Sequence, residues 1–303
     1  MDISVLIASF NCWDLLNSCL KSIYSSESSF KEIIIIDNAS VDGTCEKLKH
    51  NYPDIRLLEN KENVGHTRAV NQGCRLATGK RILLLDADTE INSDCVNVMS
   101  SFLDAHPEVS MVAPKTYLTD GTIQDSAKNF PLPINGIFGR QSLLTRLFPG
   151  NPFTRRYLAL AAHDLQDPIP VEHVSAACML FEKDIFDRVG EWDEGYHSYW
   201  VDADWCKRIQ QAGGKIYYIP EAVIVHHEQN QRSLKKSPVR IVKFHTGVFR
   251  FYTKHYAKGA WDPRRLIAAL FLTIRTLILL TTNSFKKPSP SRIDPLTMER
   301  DKT

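Results

Sequence analysis

The chain has no CxxC pair, although it carries seven cysteines, at 12, 19, 45, 74, 95, 178 and 206. An odd number at irregular spacing argues against a zinc site or a disulfide framework, and for reduced thiols in a cytosolic compartment. There is no GxxxxGK[ST] run, which excludes a P-loop. The turn after the first apolar stretch, SFNCWD (9–14), contains no glycine, so the glycine-rich turn of a dinucleotide-binding sheet is absent too. No basic region precedes the first apolar run, and no signal peptide is expected. Internal repeats are also lacking. What remains is an ordinary globular composition, 43% hydrophobic and 24% charged over 303 residues. Such a chain buries enough core to need no disulfide staples.

Charge is unevenly spread. Residues 230–303 hold 16 Lys/Arg and 4 Asp/Glu, a balance of +12, while residues 1–229 hold 21 and 31, a balance of −10. A basic C-terminal quarter calls for a polyanionic neighbour, either nucleic acid or an anionic membrane face.

The first hundred residues alternate between two periods. ISVLIAS (3–9), EIIIIDN (32–38), IRLLEN (55–60) and RILLLDAD (81–88) read as strands; 12–24, 41–52 and 66–78 read as helices. Alternation of this kind predicts a Rossmann-like, mostly parallel α/β sheet with helices on both faces, binding its ligand beyond the carboxyl ends of the strands. Polar clusters fall at those ends: Ser9 to Asn11, Asp37-Asn38, Asn60 to Gly65 and Asp86 to Asp88. Further on, 92–104 reads as a helix and 109–114 as a strand. Residues 115–170, with six prolines, read as an irregular, partly mobile excursion. Order returns with a strand and helix in 174–194, a helix over 200–214, and a strand pair with a proline break over 215–227. Helices are expected over 239–258 and 264–282, then a disordered tail from 284 to 303. The expected domains are 1–230, with a first half of about 1–114 and a second of 115–230, and a basic helical extension at 231–283.

LLLDADTEI (83–91) drives a buried strand into Asp86 and Asp88, with Glu90 close behind. Acids make good loop residues, but two clustered carboxylates at a strand's end also suit a cation. The ordered set VLIASFN (5–11), IIIIDNASVDGT (33–44), NVGHTRAVNQG (63–73), LLLDADT (83–89), FDRVGEWDEGYHSYWVDADWCKR (186–208) and PEAVIVHH (220–227) favours the second reading. Over roughly residues 3–255 the chain resembles the family 2 glycosyltransferases of the GT-A fold, especially their rhamnosyltransferase-like bacterial branch.

The resemblance implies a division of labour. Asp37 matches the acid that reads the donor's base, with Ser9, Asn11 and Asn38 as further donor contacts; the alternative to that role for Asp37 is a helix N-cap or turn acid. Arg68 faces either the base or a phosphate, or is a surface arginine. Asp86 and Asp88 match the DxD motif: Asp88 binds Mg²⁺ or Mn²⁺, and Asp86 lies by the ribose or completes the metal shell. His226 closes a Pro-x-Ala-x-Val-x-His pattern, with Ile224 in the valine's place, as a third metal ligand or a phosphate contact. His227 should point the other way. Asp202 matches the catalytic base of an EDxD-like pattern whose first acid is here Val201. Asp204, about 200° further around the helix, touches the acceptor or anchors the helix. Trp192, Asp193 and Glu194 fit a loop on the acceptor side. Trp200 and Trp205 either stack on sugars or fill the core.

On a helical wheel of 264–282, Leu266, Ile267, Leu270, Ile274, Leu277 and Ile278 share one face, and Arg264 and Arg275 the other. That suits a helix lying in the inner leaflet, since a mid-bilayer Arg275 costs about 2.5–3.5 kcal/mol. Packing on protein, including a homodimer partner, is the alternative. Nucleic acid is not expected, because no recognition motif accompanies the charge. The expectation is therefore a cytoplasmic, membrane-peripheral, metal-dependent inverting glycosyltransferase. It would use dTDP-rhamnose or a UDP-sugar and a glycan or lipid-linked acceptor in cell-surface polysaccharide synthesis. The alternatives are an inactive nucleotide-sugar-binding or scaffold protein and a nucleotidyltransferase.

Overall fold

A computed structural model of the chain describes residues 1–130, 147–148, 165–196, 199–227 and 237–285. The chain divides into two compact units, Met1–Asp193 with Asp202–Gln229, and Glu194–Val201 with Asn230–Thr303.

In the first unit, β1 (Ile3–Ser9), β2 (Glu32–Asp37), β3 (Arg56–Glu59) and β4 (Arg81–Asp86) alternate with α1 (Trp13–Tyr24), α2 (Thr44–Asn51) and α3 (His66–Leu76). Then come β5 (Thr89–Ile91), α4 (Cys95–Ala105), β6 (Val109–Leu118), β7 (Ala127–Lys128), β8 (Ile169–Pro170), β9 (His173–Val174) and β10 (Cys178–Glu182). Last are α5 (Lys183–Val189), α6 (Val201–Gln211) and β11 (Lys215–His226). The main sheet runs β3-β2-β1-β4-β10-β6-β11-β5, with β8 beside β11. β1, β2, β3 and β4 are mutually parallel, and β10 runs against both β4 and β6. β6 and β11 therefore point the same way as β4. One edge of the sheet thus collects the carboxyl ends of β1, β2, β4 and β11.

β1, β2 and β4 are apolar through their middles because both faces are covered. Val5, Ile7, Ile35, Leu83 and Leu85 share a core with Leu16, Leu20, Val96 and Met99 of α1 and α4. Leu6 points to the opposite face, where α3 lies so close that a Cβ at Gly73 would stand 2.0 Å from the Leu6 side chain. Six of the seven cysteines are buried, and burial pushes Cys95 and Cys206 up to about 12, leaving them inert thiols.

The second unit consists of Glu194–Val201 with α7 (Pro238–His255) and α8 (Pro263–Ser284). α7 and α8 pack on each other, and Leu272 is among the few buried residues of α8.

Several expectations need revision. The segment 215–227 is one strand, not a pair: β11 stays in the sheet, but its register against β6 shifts between Ile219 and Val223. Proline has no N–H to give a ladder, and the shift removes Pro220 from the pairing. β6 continues to Leu118, so the irregular stretch begins later than 115. Most of that stretch lies outside the described residues. Ser284, expected to open the tail, is instead the last residue of α8, and 286–303 lie outside the described residues. The strand Thr89–Ile91, pairing antiparallel with β11, had no signal in the sequence.

Candidate active site

At the end of β2, Asp37 is completely buried. Its Oδ2 accepts from Ser9 Oγ (2.9 Å) and Ser40 Oγ (2.6 Å), and its Oδ1 accepts from Ser40 N (2.8 Å). The two serines fill three of the about four acceptor positions a carboxylate offers, and the Cys45 thiol also hydrogen-bonds to it. Ser9 lies directly opposite Asp37 in the β1–β2 register. Asn11 holds the same loops together: its N–H donates to Ser40 Oγ (2.8 Å) and its Oδ1 accepts from Val41 N (2.8 Å). Asn11 (φ 48°) and Ala39 (φ 64°) both adopt the left-handed conformation that non-glycine residues avoid. Two such residues facing each other across one strand pair mark a loop held in shape for use. Asn38 is tied into a small amide network, with Asn60 Nδ2 donating to Asn38 Oδ1 and Gln72 Oε1, both at 3.0 Å. Arg68 is exposed in the first turn of α3.

Asp86, Asp88 and His226 bring one ligand atom each within 4.8 Å of one another. Asp86 ends β4, where its N–H donates to Ala177 O (3.1 Å). The turn carrying Asp88 is pinned by His227 N donating to Asp88 O (2.8 Å) and by the β5–β11 pairing. His226 Nε2 stands 3.1 Å from Asp88 Oδ1, and its Nδ1 lies 2.9 Å from Gln124 Oε1. The amide oxygen can only accept, so Nδ1 carries a proton and donates to it. In the neutral ring, Nε2 then turns a lone pair toward the Asp88 carboxylate. That distance suits a cation shared by the two, either a proton on the ring or a metal ion. His227 lies on the other side of the strand, 2.8 Å from Glu90. The alternation expected of the two histidines is present.

Asp202 is the second residue of α6, and its Oδ1 accepts from Ala203 N (2.8 Å). Burial raises its pKa above the ordinary carboxylate value. Asp86 pushes the same way, while the Ala203 N–H and the Lys128 ammonium oppose the shift. Val201, where an acid was expected, is 1% exposed. An acid there would be a buried charge, which valine avoids.

Two expected acceptor residues are placed elsewhere by the structure. Asp204 is fully buried and receives Arg208 Nε at 2.9 Å. The rest of that guanidinium donates to Val189 O, Gly190 O and Glu191 O. Asp204 is therefore an anchor for the turn after α5. Trp192 is 1% exposed and packs against Trp205 at 5.8 Å. Asn71 fastens its backbone from both sides, donating to Trp192 O (3.0 Å) and accepting from Trp192 N (2.9 Å). Trp205 is core as well, edge-on to Phe181. Asp193 is half-buried and Glu194 exposed. Trp200, at φ 74°, packs within the second unit against Phe244 and Phe251. Three partners escaped the sequence reading. Ser40 lay within a quoted motif without a role. Gln72 shows only as a polar position on α3. Gln124 falls in the stretch without a period and gave no signal.

A doubly covered sheet with acids along its carboxyl edge is the GT-A arrangement. The sequence model described as Glycosyl transferase family 2 matches residues 4–190, more than half the chain, and the protein belongs to that family. Among its relatives is an N-acetylglucosaminyl-diphospho-decaprenol L-rhamnosyltransferase of Mycobacterium tuberculosis, 25% identical over 264 residues, covering 83% of this chain and 84% of the relative. Another is the low-salt glycan biosynthesis hexosyltransferase Agl10 of Haloferax volcanii, 22% identical over 75% of this chain and 67% of the relative. The fold is shared with a mannosyltransferase from Pyrobaculum calidifontis solved with GDP-Man and Mn²⁺, at TM-score 0.58 and 19% identity over 93% of this chain and 73% of that one.

Proposed function

We propose that the protein transfers one sugar from a nucleoside-diphosphate donor to a hydroxyl of a lipid-linked or glycan acceptor, inverting the anomeric carbon. The observation that carries this reading is the meeting of Asp86, Asp88 and His226 on the sheet edge that also ends in Asp37. Oxygen and imidazole ligands suit Mg²⁺ or Mn²⁺, and the facing acceptors of His226 and Asp88 fit a cation between them. When bound, the ion supplies positive charge against the departing diphosphate. Asp37 accepts from the ring N–H of the base, inside the frame set by Ser9, Asn11 and Asn38. Arg68 reaches the donor from the exposed turn of α3. Asp202 takes the proton from the attacking hydroxyl, and its raised affinity for a proton suits that task. Asp193 and Glu194 contact the acceptor.

Both dTDP-rhamnose and UDP-sugars fit a uracil- or thymine-type base at Asp37. The mycobacterial relative's name supports rhamnose and a diphospholipid acceptor. A panel of nucleotide sugars with Mn²⁺ and a membrane-lipid extract tests the reading. One donor should release nucleoside diphosphate and label a lipid-extractable product. Pyrophosphate as product would instead make the protein a nucleotidyltransferase. Donor binding without any product would make it a binding protein.

The enzyme works on the cytoplasmic face of the membrane, held there by α8. Leu266, Ile267, Leu270, Leu277 and Ile278 are all more than half exposed, and Ile274 nearly so. By length and composition α8 could cross a membrane. Against crossing, one side of it packs on the basic helix α7, and Arg275 interrupts its length. A helix lying in the interface accommodates both. Vesicles rich in phosphatidylglycerol should carry the protein upward in flotation, and Leu270→Glu/Leu277→Glu should leave it at the bottom. Flotation of the double variant would mean that another surface binds lipid.

A further inference from the structure

Asp202, Cys206 and Gln210 recur every four positions, so they share one face of α6. Gln210 Nε2 donates to Val171 O (3.2 Å) and Glu172 O (3.0 Å), and Cys206 meets the backbone of Val174. That face of the helix therefore runs along the strip 171–174, and Asp202 stands one turn beyond Cys206. β9, within that strip, pairs with β7: Lys128 lies opposite His173, and Ala127 opposite Val174. Ser175 N donates to Ser126 O (2.7 Å), which extends the two-stranded ribbon toward the Asp202 end of the helix. The chain just after β7 reaches α6 as well, with Lys207 Nζ 4.6 Å from the centre of the Phe130 ring. All of these residues belong to the first unit.

On the ribbon the charge lies on Lys128. Burial lowers the His173 ring to about 3, with Lys128 acting the same way, so that imidazole is neutral. The Cys206 thiol, held up at about 12 by burial, is neutral too. Of the influences on Asp202, burial and Asp86 on β4 favour the protonated acid, while the Ala203 N–H and Lys128 on β7 favour the carboxylate. Asp204, on the same helix, is already matched by Arg208.

We infer that Lys128, brought to Asp202 by the β7–β9 ribbon, is the counter-charge of the proposed base. A buried carboxylate with no cation near it takes up a proton and is then no base at all. The two acids of α6 are matched in different ways. Arg208 grips Asp204 through a direct hydrogen bond from its planar fork. Lys128 is half-buried and offers a point charge, and among the described residues no hydrogen bond joins it to Asp202, which accepts from Ala203 N instead. A charge that acts without gripping keeps the carboxylate ionised and leaves it room to take a proton from an acceptor hydroxyl. Lys128 is thus a positioning residue that acts through Asp202. The inference rests on the transferase reading above only for Asp202's part as base.

Thermal melts of the full chain carrying Lys128→Met, Asp202→Asn or both test the pairing without any turnover. Without the cation the folded carboxyl holds its proton more tightly, so more stability is lost as pH climbs. At pH 7 Lys128→Met should therefore lower Tm by about 2–4 °C, and the loss should vanish in the Asp202→Asn background. At pH 4, where the carboxyl is protonated, the coupling should fade. Lys80→Met removes an exposed cation at the other end of β4 and should show no coupling to Asp202. In the transfer assay Lys128→Met should lose about tenfold at pH 6 and recover toward wild type at pH 9, while Lys128→Arg should keep most of the wild-type profile. Additive Tm changes at pH 7 would overturn the inference. So would an activity loss equal at both pH values, which would make Lys128 a substrate contact. Failure of the transferase reading itself shows separately, as intact Tm coupling with no nucleoside diphosphate release from any donor.

Discussion

Asp202→Asn lowers sugar transfer by about 10²–10⁴-fold and raises the melting temperature at pH 7. The first effect is the loss of the proposed general base. The second follows from burial, which holds the Asp202 carboxyl above its ordinary pKa of 3.8. Between the unfolded value and the raised folded one, the native state binds more protons than the unfolded chain. Stability therefore falls as pH climbs through that window and stays lower above it. Asparagine removes the penalty, so the gain is fully present at pH 7 and vanishes below the unfolded pKa. In a domain of this size each kcal/mol moves Tm by about 2–4 °C. Thermal melts of both proteins at pH 4 and pH 7, beside a transfer assay, check the two halves together. A variant that is inactive and no more stable at pH 7 would refute the burial argument and leave the catalytic one untouched. Full activity would place the base elsewhere.

Asp88→Ala abolishes tight Mn²⁺ binding and costs about 10³-fold or more in transfer, since a metal's charge is worth several kcal/mol and each 1.4 kcal/mol is a decade. Free and bound Mn²⁺ are counted directly by electron paramagnetic resonance, without reference to turnover. In the same titration Asp202→Asn should bind Mn²⁺ as the wild type does. Gln124→Leu should weaken binding by about 10–100-fold, because Gln124 fixes which His226 nitrogen carries the proton. Unaltered Mn²⁺ binding by Asp88→Ala would remove Asp88 from the ligand set.

The fold was legible because its signals are local. Strands that are apolar from end to end, separated by helical periods, announce a doubly covered sheet, and the acids at their ends then fall on one edge without further information. Trouble begins where the deciding partner is distant. Gln124 meets His226 across more than a hundred residues, and the three residues of β5 count as a strand only because β11 lies beside them. Trp192 stands in an acidic, surface-looking stretch, yet Asn71 of α3 pulls its backbone inward from 121 residues away. Asp204 is a different case. Its angular separation from Asp202 already showed that the two acids face apart. Arg208, four residues on, was the readable sign that Asp204 was the structural one.

The register shift in β11 has a mechanical consequence. Below it, Ile216 to Ile219 are clamped in the core beside Met111 to Pro114; above it, Val223 to His226 pair with Lys115 to Leu118 and with β5. The three intervening residues pair with neither β6 nor β5, although Ala222 stays in the core. β11 therefore behaves as two rods coupled by a compliant joint. A close-packed core transmits strain, but a small displacement of His226, as a ligand's charge comes and goes, is absorbed at Pro220 to Ala222. Amide hydrogens above the joint should exchange with solvent through smaller openings than those below it. The His226 end of the strand can adjust its position while the Ile216 end stays fixed.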